Sequence, residues 1–373
     1  MTAGPDGYTG RRVLGGAALA AILSRAAAAQ PGTGLGAIAR QHGFSYGCAV
    51  LGNLLQSNPT YAQAVAIEAG LLVPEYEAKF AALQPQEGRF DFAPLDVILN
   101  WAQARSIPVR GHALIWHEAL PAWVPPALAE GPARARGIMQ AHFDTVLART
   151  RPRIRDWDVV NEAVANPPGS DNPSPSGPLR PTPWLAALGP DYIGMAFRLA
   201  RERDPTLRLV LNDYGVEEDT PAAEIKRGWL LALCRHLQDQ NVPLDAVGIQ
   251  AHLQMRNAFS APKFTAFVRN LRAMGLAVLI TELDVREPDR VANGYPARDA
   301  AVAAWVGNFL GAAIEGGVRT VLTWGLIDRY SWLVTTPGVA RRDGLFHRGL
   351  PLDWNAQRKP MWRAMARVMG GQV

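Results

Sequence analysis

The sequence predicts an α/β protein of the (β/α)8 barrel class, with a single catalytic domain. Three observations predict it. Short apolar runs alternate with longer stretches of 3.6-residue periodicity through eight successive units. No strong antiparallel hairpin interrupts the alternation, which is the pattern of parallel strands joined by helices. Polar residues able to do chemistry gather where the apolar runs end, as they do at the C-terminal rim of a barrel. With 373 residues, 48% hydrophobic and 19% charged, the chain can bury one large core.

The strands are expected around Ser45–Val50, Leu71–Pro74, Pro108–Gly111, Arg155–Val160, Arg208–Asn212, Ala246–Gln250, Ala277–Thr281 and Val318–Trp324. Helices follow near Thr60–Glu68, Ala93–Arg105, Arg134–Thr150, Tyr192–Arg203, Pro221–Gln240, Pro262–Met274, Ala297–Glu315 and Lys359–Val368. An open doubly wound sheet is the competing architecture, but no glycine-rich phosphate loop opens an early helix. The one glycine-rich stretch, Gly32-x-Gly34-x-Gly36, precedes the first strand and reads as part of a linker over residues 30–43, ahead of a domain spanning 44–373. Residues Asn166 to Pro183 are thick with Pro, Gly and Ser and predict an irregular loop at the mouth of the barrel.

The first 29 residues read as an address. Arg11-Arg12 precede an Ala-rich apolar stretch, too short to span a membrane, and small residues lead up to Gln30. This resembles a twin-arginine export signal and predicts a periplasmic or secreted protein, free of the membrane once the signal is removed. Removal takes away Arg11, Arg12 and Arg25 against Asp6, so the formal charge falls from +5 to 5 − 2 = +3. The positive balance comes almost wholly from Arg, with Lys79, Lys226, Lys263 and Lys359 the only lysines, and forms no run of like charge. A nucleic-acid partner is therefore not expected. Cys48 and Cys234 are expected as two buried thiols; with no HExxH or CxxC motif no metal is expected, and with no glycine-rich anion loop no nicotinamide- or phosphate-bearing cofactor. The protein is expected to be a monomer.

Two carboxylates at strand ends suggest chemistry. Glu162 follows the apolar run ending Asp158-Val159-Val160-Asn161, and Glu282 follows Val278-Leu279-Ile280-Thr281. The fourth and seventh strands of an eight-stranded barrel face each other, so both side chains can enter one cleft. Cleaving a glycosidic bond needs such a pair: one carboxylic acid to protonate the leaving oxygen, and one carboxylate to attack or to activate water.

Six segments in order carry a resemblance to glycoside hydrolase family 10, the endo-β-1,4-xylanase family. They are Gly111-His112-Ala113-Leu114-Ile115-Trp116-His117, Asp158–Glu162, Leu211-Asn212-Asp213-Tyr214, Val247–His252, Ile280–Asp284, and Trp324-Gly325 with Tyr330-Ser331-Trp332. The resemblance runs from about Phe44 to Trp362 and implies a retaining endo-xylanase acting on xylan or xylo-oligosaccharides. It implies Glu162 as acid/base, Glu282 as nucleophile, and His252 and Asp284 as the pair that positions and ionises Glu282. It gives Asn161 the sugar 2-hydroxyl, and makes Glu75, Lys79, His112, Tyr214 and Gln250 substrate contacts. Trp116, Trp324 and Trp332 are expected to wall the cleft, since aromatic rings pack on the C–H faces of sugars.

The match departs from the family at two places. Glu75-Tyr76-Glu77-Ala78-Lys79 puts Tyr76 where the family has Asn, and Ala119 replaces a Gln. Both changes fall on recognition of the glycone, the part of the sugar chain on the non-reducing side of the cut. They predict an altered preference within xylan-type substrates. A related barrel hydrolase acting on another β-glycan or a decorated oligosaccharide is the alternative; a catalytically silent sugar-binding barrel would need affinity without turnover.

Overall fold

The computed structural model describes residues 33–288 and 294–370. The proposed export signal lies outside the described residues. Among the described residues nine parallel strands are present: β1 (Ser45–Val50), β2 (Leu72–Pro74), β3 (Val109–Ile115), β4 (Ile154–Asn161), β5 (Arg208–Asp213), β6 (Ala246–Ile249), β7 (His252–Gln254), β8 (Ala277–Arg286) and β9 (Thr320–Thr323). Eight of them close a ring, because β1 pairs with β9 and β6 pairs with β8. The short β7 lies outside that ring and runs along Asp284–Arg286, the end of β8. Helices wrap the outside, giving the expected (β/α)8 barrel. Strands β4 and β8 stand three places apart around the ring rather than opposite, separated by β5 and β6.

Strands covered on both faces need near-continuous apolar sequence, and β1 and β8 are buried along almost their whole length. Helix starts are written into the chain as a capping residue followed by proline. Asn58-Pro59, Thr182-Pro183 and Thr220-Pro221 each open a helix, and the Asn58, Thr182 and Thr220 side chains accept from Tyr61 N, Leu185 N and Ala223 N.

The structure corrects the expected linker over residues 30–43 from residue 33 onward, 30–32 lying outside the described residues. Leu35–Gln41 forms a helix whose Leu35, Ile38 and Ala39 are buried. The glycines permit close approach: a Cβ on Gly34 would lie 1.8 Å from the Ile67 carbonyl oxygen, and one on Gly36 would lie 2.3 Å from Gly70 N. Buried Glu68 ties this helix to the end of the domain, accepting from Leu35 N at 2.9 Å, Arg358 Nε at 2.7 Å and Trp362 Nε1 at 2.7 Å. Strand β3 also runs past its expected end at Gly111, so His112 sits within the strand and not at its tip. Both cysteines are buried free thiols, as expected.

Candidate active site

Glu162 and Glu282 are joined by a bridge of side-chain amides. Gln250 Nε2 donates to Glu162 Oε1 at 3.0 Å and to Asn161 Oδ1 at 3.2 Å. Asn212 Nδ2 donates to the same Asn161 oxygen at 2.9 Å and to Glu282 Oε1 at 2.7 Å. Thr281 Oγ1 donates to Asn212 Oδ1 at 2.7 Å, which fixes the orientation of that amide. Gly248 makes room for it: a Cβ there would lie 2.2 Å from Asn212 Oδ1. Asn161 ends β4 and Glu162 follows it, Asn212 stands near the end of β5, Gln250 just past β6, and Thr281 and Glu282 in the middle of β8, which runs past its expected end at Thr281.

The two carboxyls are electrostatically unlike. Burial opposes ionisation of Glu282, but His112, a hydrogen bond from His252 and the Lys79 charge outweigh it and hold its pKa at about 2. His252 Nε2 lies 3.4 Å from Glu282 Oε2, while its Nδ1 lies 3.0 Å from Asp284 Oδ1. Burial works against charging this imidazole, yet Asp284 and Glu282 together push it up to about 10, so His252 is cationic at neutral pH. Trp332 Nε1 donates to the other Asp284 oxygen at 2.5 Å. His112 Nδ1 lies 2.8 Å from Asp158 Oδ2 and 3.8 Å from Glu282 Oε1, and Asp158 is itself held by Arg110.

Glu162 has its pKa raised by burial, against the opposing hydrogen bond from Gln250 and the charge of Arg180. His117 Nε2 lies 3.9 Å from Glu162 Oε2. Burial, aided by Arg180, lowers this imidazole to about 4, so it stands neutral beside the carboxyl. One carboxylate ionised and one carboxyl favoured in its protonated form is the division of roles that acid-assisted displacement needs.

The other expected residues converge on the same cleft. The Lys79 ammonium lies 4.7 Å from the Trp116 ring centroid, 5.7 Å from Trp324 and 5.9 Å from Tyr76, with its pKa lowered by burial. Glu75, raised to about 7 by burial against the pull of Lys79, follows β2. Trp324 and Trp332 each pack edge-on against His252. The Tyr214 hydroxyl accepts from Asn166 Nδ2 at 2.8 Å and from Arg180 Nη2 at 3.0 Å. Among the described residues Asn161 Nδ2 is buried without a hydrogen-bond partner, and no cluster of His, Cys, Asp and Glu could hold a metal.

Sequence reasoning gave no role in the site to Asn212, Arg180, His117 or Asp158. Asn212, His117 and Asp158 stand inside segments that the resemblance already marked, so their position was visible but not their bonding. Arg180 belongs to a loop whose composition signals only irregularity.

Comparison with known proteins agrees with this geometry. The sequence profile of glycosyl hydrolase family 10 matches residues 34–368. The chain is 30% identical to endo-1,4-beta-xylanase B of Thermotoga neapolitana over 312 residues, covering 83% of each. Xylanase 10B of Thermotoga petrophila, solved in complex with xylobiose, superposes with a TM-score of 0.80 at 26% identity, covering 91% of this chain and 98% of that one. The intracellular xylanase TsXylA of Thermoanaerobacterium saccharolyticum, solved as a point mutant in complex with xylotriose, superposes at 0.77 with 28% identity, covering 91% of this chain and 100% of that one. With the profile matched across the whole barrel and Glu162 and Glu282 in one amide network, the chain belongs to glycosyl hydrolase family 10.

Proposed function

We propose that this protein is a retaining endo-β-1,4-xylanase that cuts internal bonds of xylan or xylo-oligosaccharides. The observation that carries the reading is the unlike ionisation of the two carboxyls within one amide bridge. Glu282 attacks the anomeric carbon while Glu162 protonates the departing sugar oxygen, leaving a glycosyl ester on Glu282. Glu162, now a carboxylate, takes a proton from water as that water attacks the ester, and the product leaves with the β configuration kept. This mechanism requires the carboxyl groups to stand ~5–5.5 Å apart.

The supporting groups act on charge and geometry. His252, held cationic by Asp284, offsets the Glu282 charge before attack. Asn161, its oxygen occupied by Asn212 and Gln250, keeps a free N–H pair for the sugar 2-hydroxyl, a bond that strengthens as oxocarbenium character grows. Trp116, Trp324 and Trp332 offer apolar faces to the sugar rings. Export of a monomer through the signal at residues 1–29 would bring the enzyme to a polymer that cannot enter the cell; replacing Arg11-Arg12 by Lys-Lys tests this by retaining the protein inside.

The test is incubation of the protein with linear xylan, a β-1,4-glucan and xylo-oligosaccharides, with product sizing and anomer assignment. The reading predicts β-configured xylo-oligosaccharides from xylan. Release from glucan alone contradicts it.

A further inference from the structure

Glu162 is a non-glycine residue held in the left-handed backbone region, at φ +57. Such a conformation persists only where its surroundings impose it. The constraint comes from the loop that follows. The chain leaves Glu162, runs out, and returns so that Arg180 N donates to Ala163 O at 2.8 Å and Ala165 N donates to Pro178 O at 2.9 Å. On this return the buried Arg180 side chain donates from Nε to the Glu162 carbonyl at 2.8 Å. Its Nη2 is shared among Val164 O, Asn166 Oδ1 and Tyr214 Oη at 3.3, 3.2 and 3.0 Å.

These partners are carbonyl, amide and phenol oxygens rather than a carboxylate, so the guanidinium charge is not spent on an ion pair. Asp213, a neighbouring carboxylate, is already satisfied by Lys226 Nζ at 3.0 Å and by Val164 N and Tyr214 N, both at 2.9 Å. Around the Glu162 carboxyl stand His117, kept neutral, the Gln250 amide, the Tyr214 phenol, Asp213 with its Lys226 partner, and Lys79 across the cleft. Glu282 lies at the far end of the amide bridge, with cationic His252 beyond it.

We propose that Arg180 is the positioning residue of the acid/base: it pins the left-handed Glu162 backbone through its carbonyl and supplies an uncommitted positive charge beside the carboxyl. This rests on the assignment of Glu162 as acid/base. Tyr214 and Asn166 then serve to hold the guanidinium rather than the sugar.

The test compares Arg180→Gln and Arg180→Lys on a xylo-oligosaccharide, whose leaving group needs protonation, and on a dinitrophenyl β-xylobioside, whose leaving group does not. Arg180→Gln is expected to lose on the order of a hundredfold on the first substrate, in the range of a missing general acid, and only a few fold on the second. Removing the positive charge favours the protonated carboxyl, so the alkaline limb of kcat/KM moves to higher pH in Arg180→Gln. It stays in place in Arg180→Lys, which keeps the charge but loses the forked donor. Equal losses on the two substrates, or an unmoved limb in Arg180→Gln, overturn the proposal. If Arg180→Gln does not fold, Arg180→Lys alone must show the leaving-group dependence, and equal losses there overturn it too. Glu162→Ala run beside them separates the two readings: no leaving-group dependence in that variant sinks the acid/base assignment itself.

Discussion

Nδ2 of Asn212 lies 2.7 Å from Oε1 of Glu282, and the same nitrogen reaches Asn161 at 2.9 Å. One amide therefore orients the Glu282 carboxylate and Asn161, the residue before Glu162. A hydrogen bond to a charged group contributes about 1.5–3 kcal/mol, so Asn212→Ala should cut kcat/KM on the order of ten- to a hundredfold. Gly248→Ala should act through the same residue, because its Cβ would displace the Asn212 oxygen 2.2 Å away. Steady-state kinetics on a xylo-oligosaccharide checks both, with retained far-ultraviolet circular dichroism showing that the fold persists. Wild-type rates in Gly248→Ala would mean that the amide bridge is dispensable.

His252 links activity to stability at high pH. Its folded pKa is raised to about 10 by Asp284 and Glu282, above the usual ~6.5 of an unfolded histidine. The stabilisation is complete below pH ~6.5 and is lost as pH rises towards 10. Glu282, lowered to about 2, contributes in the opposite sense: its share is present above pH ~4.5 and is lost as pH falls towards 2. Thermal unfolding followed from pH 6 to 10 should show a fall in Tm that His252→Asn flattens. A parallel slope in that variant would contradict the assignment.

The helix Leu35–Gln41 belongs to the barrel. Leu35 and Ile38 are buried, and burying such side chains contributes ~1.5–3 kcal/mol each. A chain beginning at Gln30 should match the full-length protein in Tm, whereas one beginning at Phe44 should unfold several degrees lower or fail to fold. Gly34→Ala should also destabilise, since no side-chain movement relieves its clash with the Ile67 carbonyl.

Tyr76 is half exposed beside Lys79 at the cleft. A phenol there offers a ring face where a carboxamide would offer two donors and an acceptor. Tyr76→Asn should leave the rate on an activated xylobioside within a few fold and change the lengths of the products released from xylohexaose. An unaltered product pattern would show that Tyr76 takes no part in chain recognition.

The barrel and the glutamates proposed as its catalytic pair were legible because both are local signals. Apolar runs such as Val278–Thr281 end on a polar residue, and the Asn161-Glu162 and Thr281-Glu282 pairs each stand at such an end. The helix at 35–41 was not legible: Gly32, Gly34 and Gly36 read as a linker, and only the tertiary contact with Ile67–Gly70 explains why glycine is needed. The bonding of Asn212 and Arg180 was hidden for a related reason. Each acts on a partner fixed by the ring closure or by an eighteen-residue return of the loop from Glu162 to Arg180, which no local pattern encodes.

The most direct test of the account is trapping with a 2-deoxy-2-fluoro β-xylobioside carrying a good leaving group, followed by peptide mapping of the labelled protein. A double-displacement mechanism through Glu282 gives a single adduct on that residue, formed faster than it is hydrolysed, and absent in Glu282→Ala. An adduct on another residue, or release of an α-configured product with no adduct, would contradict it.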